Sequence, residues 1–254
     1  MRNYRKAEML KYRHTFLCGI VFLMPLISVV FAAVLTGEYF VVDTYNWWYI
    51  GLYPGMIGIV CGMIGGKDKK KKNFTLWSLP CEMGKIWDAK IFTGMFFSGL
   101  SVIFLTALSF AVTKLLGEGF HIEFLAQPSV KMQILAGIVL FVTTLWQIPF
   151  CLFLSQKIGS FPMFLVHMVL YTLMSTMASL KPWYMALPGG ITSRLMCPIL
   201  GILPNGLLAR EGSFSYSPGL MESWNLPVGV LASLFWFFLF FLGSRKWFER
   251  QVEK

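Results

Sequence analysis

The chain has 254 residues, of which 56% are hydrophobic and 13% charged, with a mean hydropathy of +0.65. A soluble domain carries roughly a quarter charged residues, so this chain has too few to clothe a water-facing surface. Its net charge of +10 does not point to nucleic acid either, because the basic residues gather at the ends of long apolar blocks and in one loop, as membrane-flanking residues do.

A helix needs about 20 apolar residues to cross the hydrocarbon layer. By that measure the sequence predicts an all-α integral membrane protein with six transmembrane helices, at 16–36, 49–66, 91–116, 132–154, 158–180 and 226–243. Residues 1–15 form a basic interfacial segment ahead of the first block. No small-residue cleavage site follows that block, so it reads as a retained span. Tyr45, Trp47, Trp48 and Tyr49 crowd the start of span two, where amphipathic rings favour the headgroup layer. Gly51, Gly55, Gly58, Gly62 and Gly66 then recur along span two at intervals of three or four, a stripe that lets another helix approach closely. Pro25 in span one and Pro149 in span four read either as kinks or as prolines tolerated by their neighbours.

Between spans five and six, 183–208 is moderately apolar but broken by Pro188, Gly189, Gly190, Pro198, Gly201, Pro204 and Gly206. Short re-entrant or interfacial helices fit that stretch better than a seventh span, within an outer region covering 181–225. Seventeen of the 22 Lys and Arg fall on one side of the six-span map, and only Lys114, Lys131, Lys181, Arg194 and Arg210 on the other. The excess of positive charge on the inner side predicts a plasma-membrane protein with both termini in the cytoplasm. The five cysteines, an odd number set mostly in or beside spans, do not form a disulfide framework and read as small core residues.

The inner stretch 67–90 is the most informative. It opens with Lys67, Asp68 and four more lysines, continues through Phe74, Leu76, Trp77, Leu79 and Pro80, and closes with Lys85, Trp87, Asp88 and Lys90. One reading is a membrane-hugging loop, its lysines on anionic headgroups. The other is a docking surface, because an apolar cluster rimmed by charge marks a partner site.

From the N-terminal segment Ala7–Phe16, through Asn46-Trp47-Trp48-Tyr49 and Pro54-Gly55, to the Lys-rich turn, Ser78-Leu79-Pro80 and Lys85–Lys90, the chain resembles the permease subunits of lantibiotic-immunity ABC transporters of the MutE/EpiE type. That resemblance implies an ABC-2-type permease fold. It also implies a separate ABC ATPase carrying ATP and magnesium, a second and different permease chain, a lantibiotic-like peptide expelled from the membrane as cargo and a Gram-positive cell. The alternatives are an ABC-2 permease for another hydrophobic cargo and a non-transport sensor or assembly protein whose loop holds a kinase or scaffold. The ATPase-coupling residues it points to are Phe74, Leu76, Trp77, Leu79, Pro80, Lys85 and Trp87.

No motor is written into the chain itself. The nearest approach to a Walker A loop, at Gly65-Gly66-Lys67-Asp68, has Cys61 in place of the first glycine and Asp68 in place of the hydroxyl residue. HExxH, GxSxG and paired intramembrane carboxylates are absent, so the sequence offers no catalytic residues, no metal ligands and no bound cofactor. His167 and Gln147 lie at membrane depth and read either as inter-helix hydrogen-bonding groups or as part of a transport path. On the outer side Trp47, Trp48, Glu118 and Glu123 are candidate contacts for a cationic peptide, with solvated loop charge as the plainer account of the two glutamates.

Overall fold

The computed structural model describes residues 1–69 and 81–251. Among these, ten α-helices run in chain order: α1 Arg2–Leu10, α2 Leu17–Leu35, α3 Phe40–Trp47, α4 Tyr53–Lys69, α5 Met83–Lys114, α6 Val130–Thr144, α7 Gln147–Ile158, α8 Ser160–Ala178, α9 Pro188–Leu200 and α10 Asn225–Glu249. Six helical stretches are long and apolar enough to cross a membrane: Leu17–Leu35, Gly37–Lys69, Met83–Gly119, Val130–Ile158, Ser160–Ala178 and Asn225–Glu249. The chain is a multi-pass, all-helical membrane protein.

Spans two and four form the centre of the bundle. Their most apolar windows are 61% and 67% buried, against 17% for the last span, which therefore lies on the outside of the bundle. Leu231, Phe235 and Phe238 on α10, like Leu165, Val169 and Leu173 on α8, form an exposed apolar surface of the kind lipid or a neighbouring span covers.

Two spans begin earlier than their hydropathy suggests. Span two starts at Gly37 rather than 49, because one 3-10 turn, α3 and a π turn at Trp48–Leu52 carry the helix through Asp43 and Asn46. There α3 packs on α2, with Ser28 Oγ donating to the Thr44 carbonyl at 2.9 Å. Span three starts at Met83 rather than 91, so both described ends of the expected loop 67–90 are helical. Its charged first turns stay helical because Asp88 and Lys90 find partners on other helices, Asp88 with Arg245 and Lys90 with Glu8.

Span four is two helices. The break at Leu145–Trp146 lies where Pro149 has no N–H to offer and its ring crowds the carbonyl of Leu145. Spans four and five are then joined by Gly159 alone, at φ +99°, a conformation that favours glycine.

Before the last span, a 3-10 turn at Tyr184–Ala186 and the 13-residue α9 supply the expected short helices. Nearly every residue of α9 is buried, so protein rather than lipid surrounds it. Hydroxyl pairs fasten it, Thr143 to Thr192 at 2.9 Å and Ser175 to Ser193 at 2.8 Å. A double-mutant cycle with Thr143→Val and Thr192→Val, read from thermal unfolding in detergent, is expected to return a coupling of about 0.6 kcal/mol, the usual worth of one such pair in a membrane protein.

Candidate functional site

At one end of the bundle, the basic face, α1, the last turn of α4, the first turns of α5 and the ends of α7 and α10 meet. Lys69 Nζ donates to the Ser155 carbonyl at 3.0 Å, joining α4 to α7. Lys157 sits 4.9 Å over the Trp247 ring, joining α7 to α10.

At the centre of this face lies a network of four charges. Lys90 donates to Glu8 Oε1 at 3.0 Å and to Asp68 Oδ2, while Lys11 donates to Glu8 Oε2 at 2.7 Å and to Asp68 Oδ2 at 2.9 Å. Tyr12 adds its hydroxyl to Glu8 Oε1 at 2.8 Å. Lys90 is 0% exposed and Glu8 3%, so neither could keep its charge there without a partner. Two cations against two carboxylates leave no net charge to be solvated.

Burial alone would draw the Lys11 pKa down, but Glu8 and Asp68 outweigh it and hold the group above its ordinary 10.5. A raised folded-state pKa gives stabilisation that is complete below the unfolded value and lost only as pH rises through the folded one. The Lys11 contribution is therefore intact at neutral pH. Burial, then the Glu8 charge, pushes the Tyr12 phenol far above 10, which keeps it a donor.

The start of α5 is also clasped by α10. Trp87 Nε1 donates to Ser244 Oγ at 3.0 Å, and its ring stacks on Phe248 with centroids 4.6 Å apart. Arg245 reaches Asp88 at 3.2 Å, and a Cβ at Gly84 would run into Glu249. Trp87 is 0% exposed, so it offers no surface to a partner protein, and what it touches is α10. Lys85 lies on the first turn of α5, half-buried and paired with Glu82. Phe74, Leu76, Trp77, Leu79 and Pro80 lie outside the described residues.

The glycine stripe of span two divides. A Cβ at Gly58 would lie 3.0 Å from Phe164 and one at Gly62 3.2 Å from Ser160, both on α8, while Gly55 faces Met168 at 3.9 Å. Gly51 faces nothing within 4 Å.

His167 and Gln147 are both 0% exposed. The His167 ring lies 6.4 Å from Trp146 and 6.3 Å from Tyr171, with the Pro54 carbonyl as a polar neighbour. Neither amide atom of Gln147 meets a hydrogen-bond partner among the described residues.

At the opposite end, Trp48 is buried and stacked on Tyr53 at 5.0 Å, so it has no surface to give a peptide. Trp47 is half-buried and meets Phe31 edge-on at 6.2 Å. Glu118 and Glu123 are exposed and line one cleft of about 850 Å³ together with Lys114, Gln127 and Gln133. Phe110 lines both this cleft and an apolar groove of about 690 Å³ between α5 and α6. Among the described residues no three His, Cys, Asp or Glu side chains gather as a metal site would require.

A family model described as ABC-2 family transporter protein matches residues 5–175, about two thirds of the chain. The chain belongs to the ABC-2 transporter family. The match takes in the four charges of the basic face and the first five spans nearly to the end of α8, and leaves α9 and α10 outside it. No curated protein and no solved structure matches the chain. ABC-2 members are membrane permease subunits that are not themselves ATPases and work with a separate ABC ATPase.

Sequence reasoning had not singled out Glu8, Lys11, Asp68 and Lys90 as a set. A signal was there to be found: Glu8 is the lone acid in the first fifteen residues, and Asp68 the lone acid in the run 67–72. An isolated carboxylate inside a basic stretch has cations competing for it.

Proposed function

We propose that this ABC-2 protein is a permease subunit of an exporter that protects a Gram-positive cell by expelling a cationic, membrane-active peptide of the lantibiotic class. The basic face lies in the cytoplasm and receives the ATPase, with Phe74, Leu76, Trp77, Leu79, Pro80 and Lys85 as the docking surface and a second, different permease completing the path. The observation that carries the reading is the gathering of α1, α10 and both flanks of residues 70–80 at one end of an ABC-2 bundle. A push delivered there reaches spans two, three and six together.

The cargo assignment is supported by the polar cleft at the other end, where Glu123 and Glu118, the latter 3.9 Å from Lys114, lie near the apolar groove between α5 and α6. A cationic amphiphile matches both halves. The size of the groove also favours a second reading, an ABC-2 permease for an uncharged hydrophobic cargo.

The two readings part on one assay. The chain, its ATPase and its companion permease are expressed in a sensitive host, and the inhibitory concentrations of a cationic lantibiotic and of an uncharged hydrophobic antibiotic are measured. Glu118→Lys with Glu123→Lys is expected to abolish protection against the cationic peptide while surface expression is kept. Protection that survives charge reversal, or that extends only to the uncharged compound, would contradict the peptide reading.

A further inference from the structure

The buried charges of the basic face do more than hold helices together. As plain adhesive they are a poor choice, because well-packed apolar residues of the same volume stabilise a fold as well or better. What ion pairs supply that apolar contacts do not is registry. Each carboxylate here touches both ammonium groups: Glu8 meets Lys11 and Lys90, and Asp68 meets the same two. The four residues lie on three separate pieces of chain, Glu8 and Lys11 in or just after α1, Asp68 in the last turn of α4 and Lys90 near the start of α5. Sliding any of these pieces along another breaks an ion pair, and moving α1 against the span-three stem strands Glu8 and Lys90, which are almost wholly buried.

Further contacts aim the same way. Lys67 donates to the Lys11 carbonyl, Tyr12 reaches the Ile64 carbonyl at 3.4 Å, Arg5 lies 3.9 Å over the Phe92 ring, and the Glu82 amide donates to the Tyr4 hydroxyl at 3.4 Å. Thus α1 is tied to the end of span two and to the start of span three, the two stems that flank residues 70–80.

We infer that Glu8, Lys11, Asp68 and Lys90 are positioning residues for transport: a registry lock that makes α1 and the two stems move as one rigid body. Displacement delivered at the stems is then handed to spans two and three without being absorbed by slippage between them. The inference rests on the ATPase-driven permease reading above and adds to it the residues that keep the moving part stiff.

Two measurements on the complete complex test it. The first uses Glu8→Gln with Lys90→Met, which removes one charge of each sign, keeps the net charge and leaves the Lys11–Asp68 pair. The complex is expected to assemble with its ATPase, melt within a few degrees of the wild-type temperature and hydrolyse ATP, while the cargo moved per ATP falls at least tenfold. Wild-type transport per ATP in that variant would overturn the lock.

The second uses the wild-type background, so it does not depend on the variant folding. Spectroscopic labels at exposed Lys6 and Glu82 report the separation of α1 from the span-three stem, and a third at Arg210 on the opposite face gives a reference. The 6–82 distance is expected to stay constant between nucleotide-free and ATP-trapped complexes while both distances to 210 change. A 6–82 distance that changes with nucleotide would overturn the lock and leave the permease reading standing. A wild-type chain that recruits no ATPase would remove that reading, and the lock would go with it.

Discussion

Replacing Lys90 alone with Met lowers the stability of the protein by about 3 kcal/mol, because the almost wholly buried Glu8 and the largely buried Asp68 are left sharing Lys11 alone. The measurement is the midpoint of heat-induced loss of the monodisperse peak of detergent-solubilised protein. The companion change Glu8→Gln restores most of the loss, since the excess negative charge disappears with it. The two substitutions are therefore strongly non-additive, as expected for residues sharing one network. Additive effects, or a Lys90→Met variant as stable as the parent, would mean that the charges are hydrated and the network is not closed.

The second large effect is steric. A Cβ at Gly190 would lie 2.8 Å from Ala178 Cβ, 3.1 Å from the Ser179 nitrogen and 3.2 Å from the Met174 carbonyl oxygen. Two of these three are backbone atoms of the chain at and just beyond the end of α8, which cannot swing aside as a side-chain tip can. Gly190→Ala therefore forces α9 away from α8 and breaks the Ser175–Ser193 hydroxyl pair, at a cost of about 2–3 kcal/mol. The control is Gly51→Ala. Gly51 belongs to the same class of small residue in a span but faces open space, so its substitution is expected to be neutral within about 0.5 kcal/mol. Equal effects at the two positions would contradict the close approach of α9.

These two sites mark what could be read from the sequence. Spans one and five were legible nearly to the residue, 16–36 against Leu17–Leu35 and 158–180 against Ser160–Ala178, because uninterrupted apolar runs need no tertiary context. The early starts of spans two and three were not. Span two runs through the polar Asp43 and Asn46, and span three through charged or polar residues whose partners are distant in sequence, Glu8 lying 82 positions from Lys90 and Ser244 157 from Trp87. Hydropathy counts a charge as a reason to stop and cannot see that it is paired. Glycine spacing likewise marked a packing stripe in span two without saying which members touch a neighbour. Gly58 and Gly62 meet α8, Gly51 does not, and the tight contacts at Gly189 and Gly190 sit in a stretch that reads from sequence only as broken. On the outer side, Glu118 and Glu123 were legible as exposed acids, but that they share a cleft depends on how the chain between α5 and α6 folds back.

If the basic face is where a separate ATPase docks, site-specific photo-crosslinking in native membranes will capture it there. A crosslinking amino acid is placed at Glu82, exposed beside the span-three stem, and in a separate strain at Glu123 on the opposite face. Adducts are identified by mass spectrometry. An ABC ATPase is expected among the adducts from position 82 and not among those from position 123. Capture of the ATPase from 123 alone, or no nucleotide-binding protein at either position, would contradict docking at the basic face.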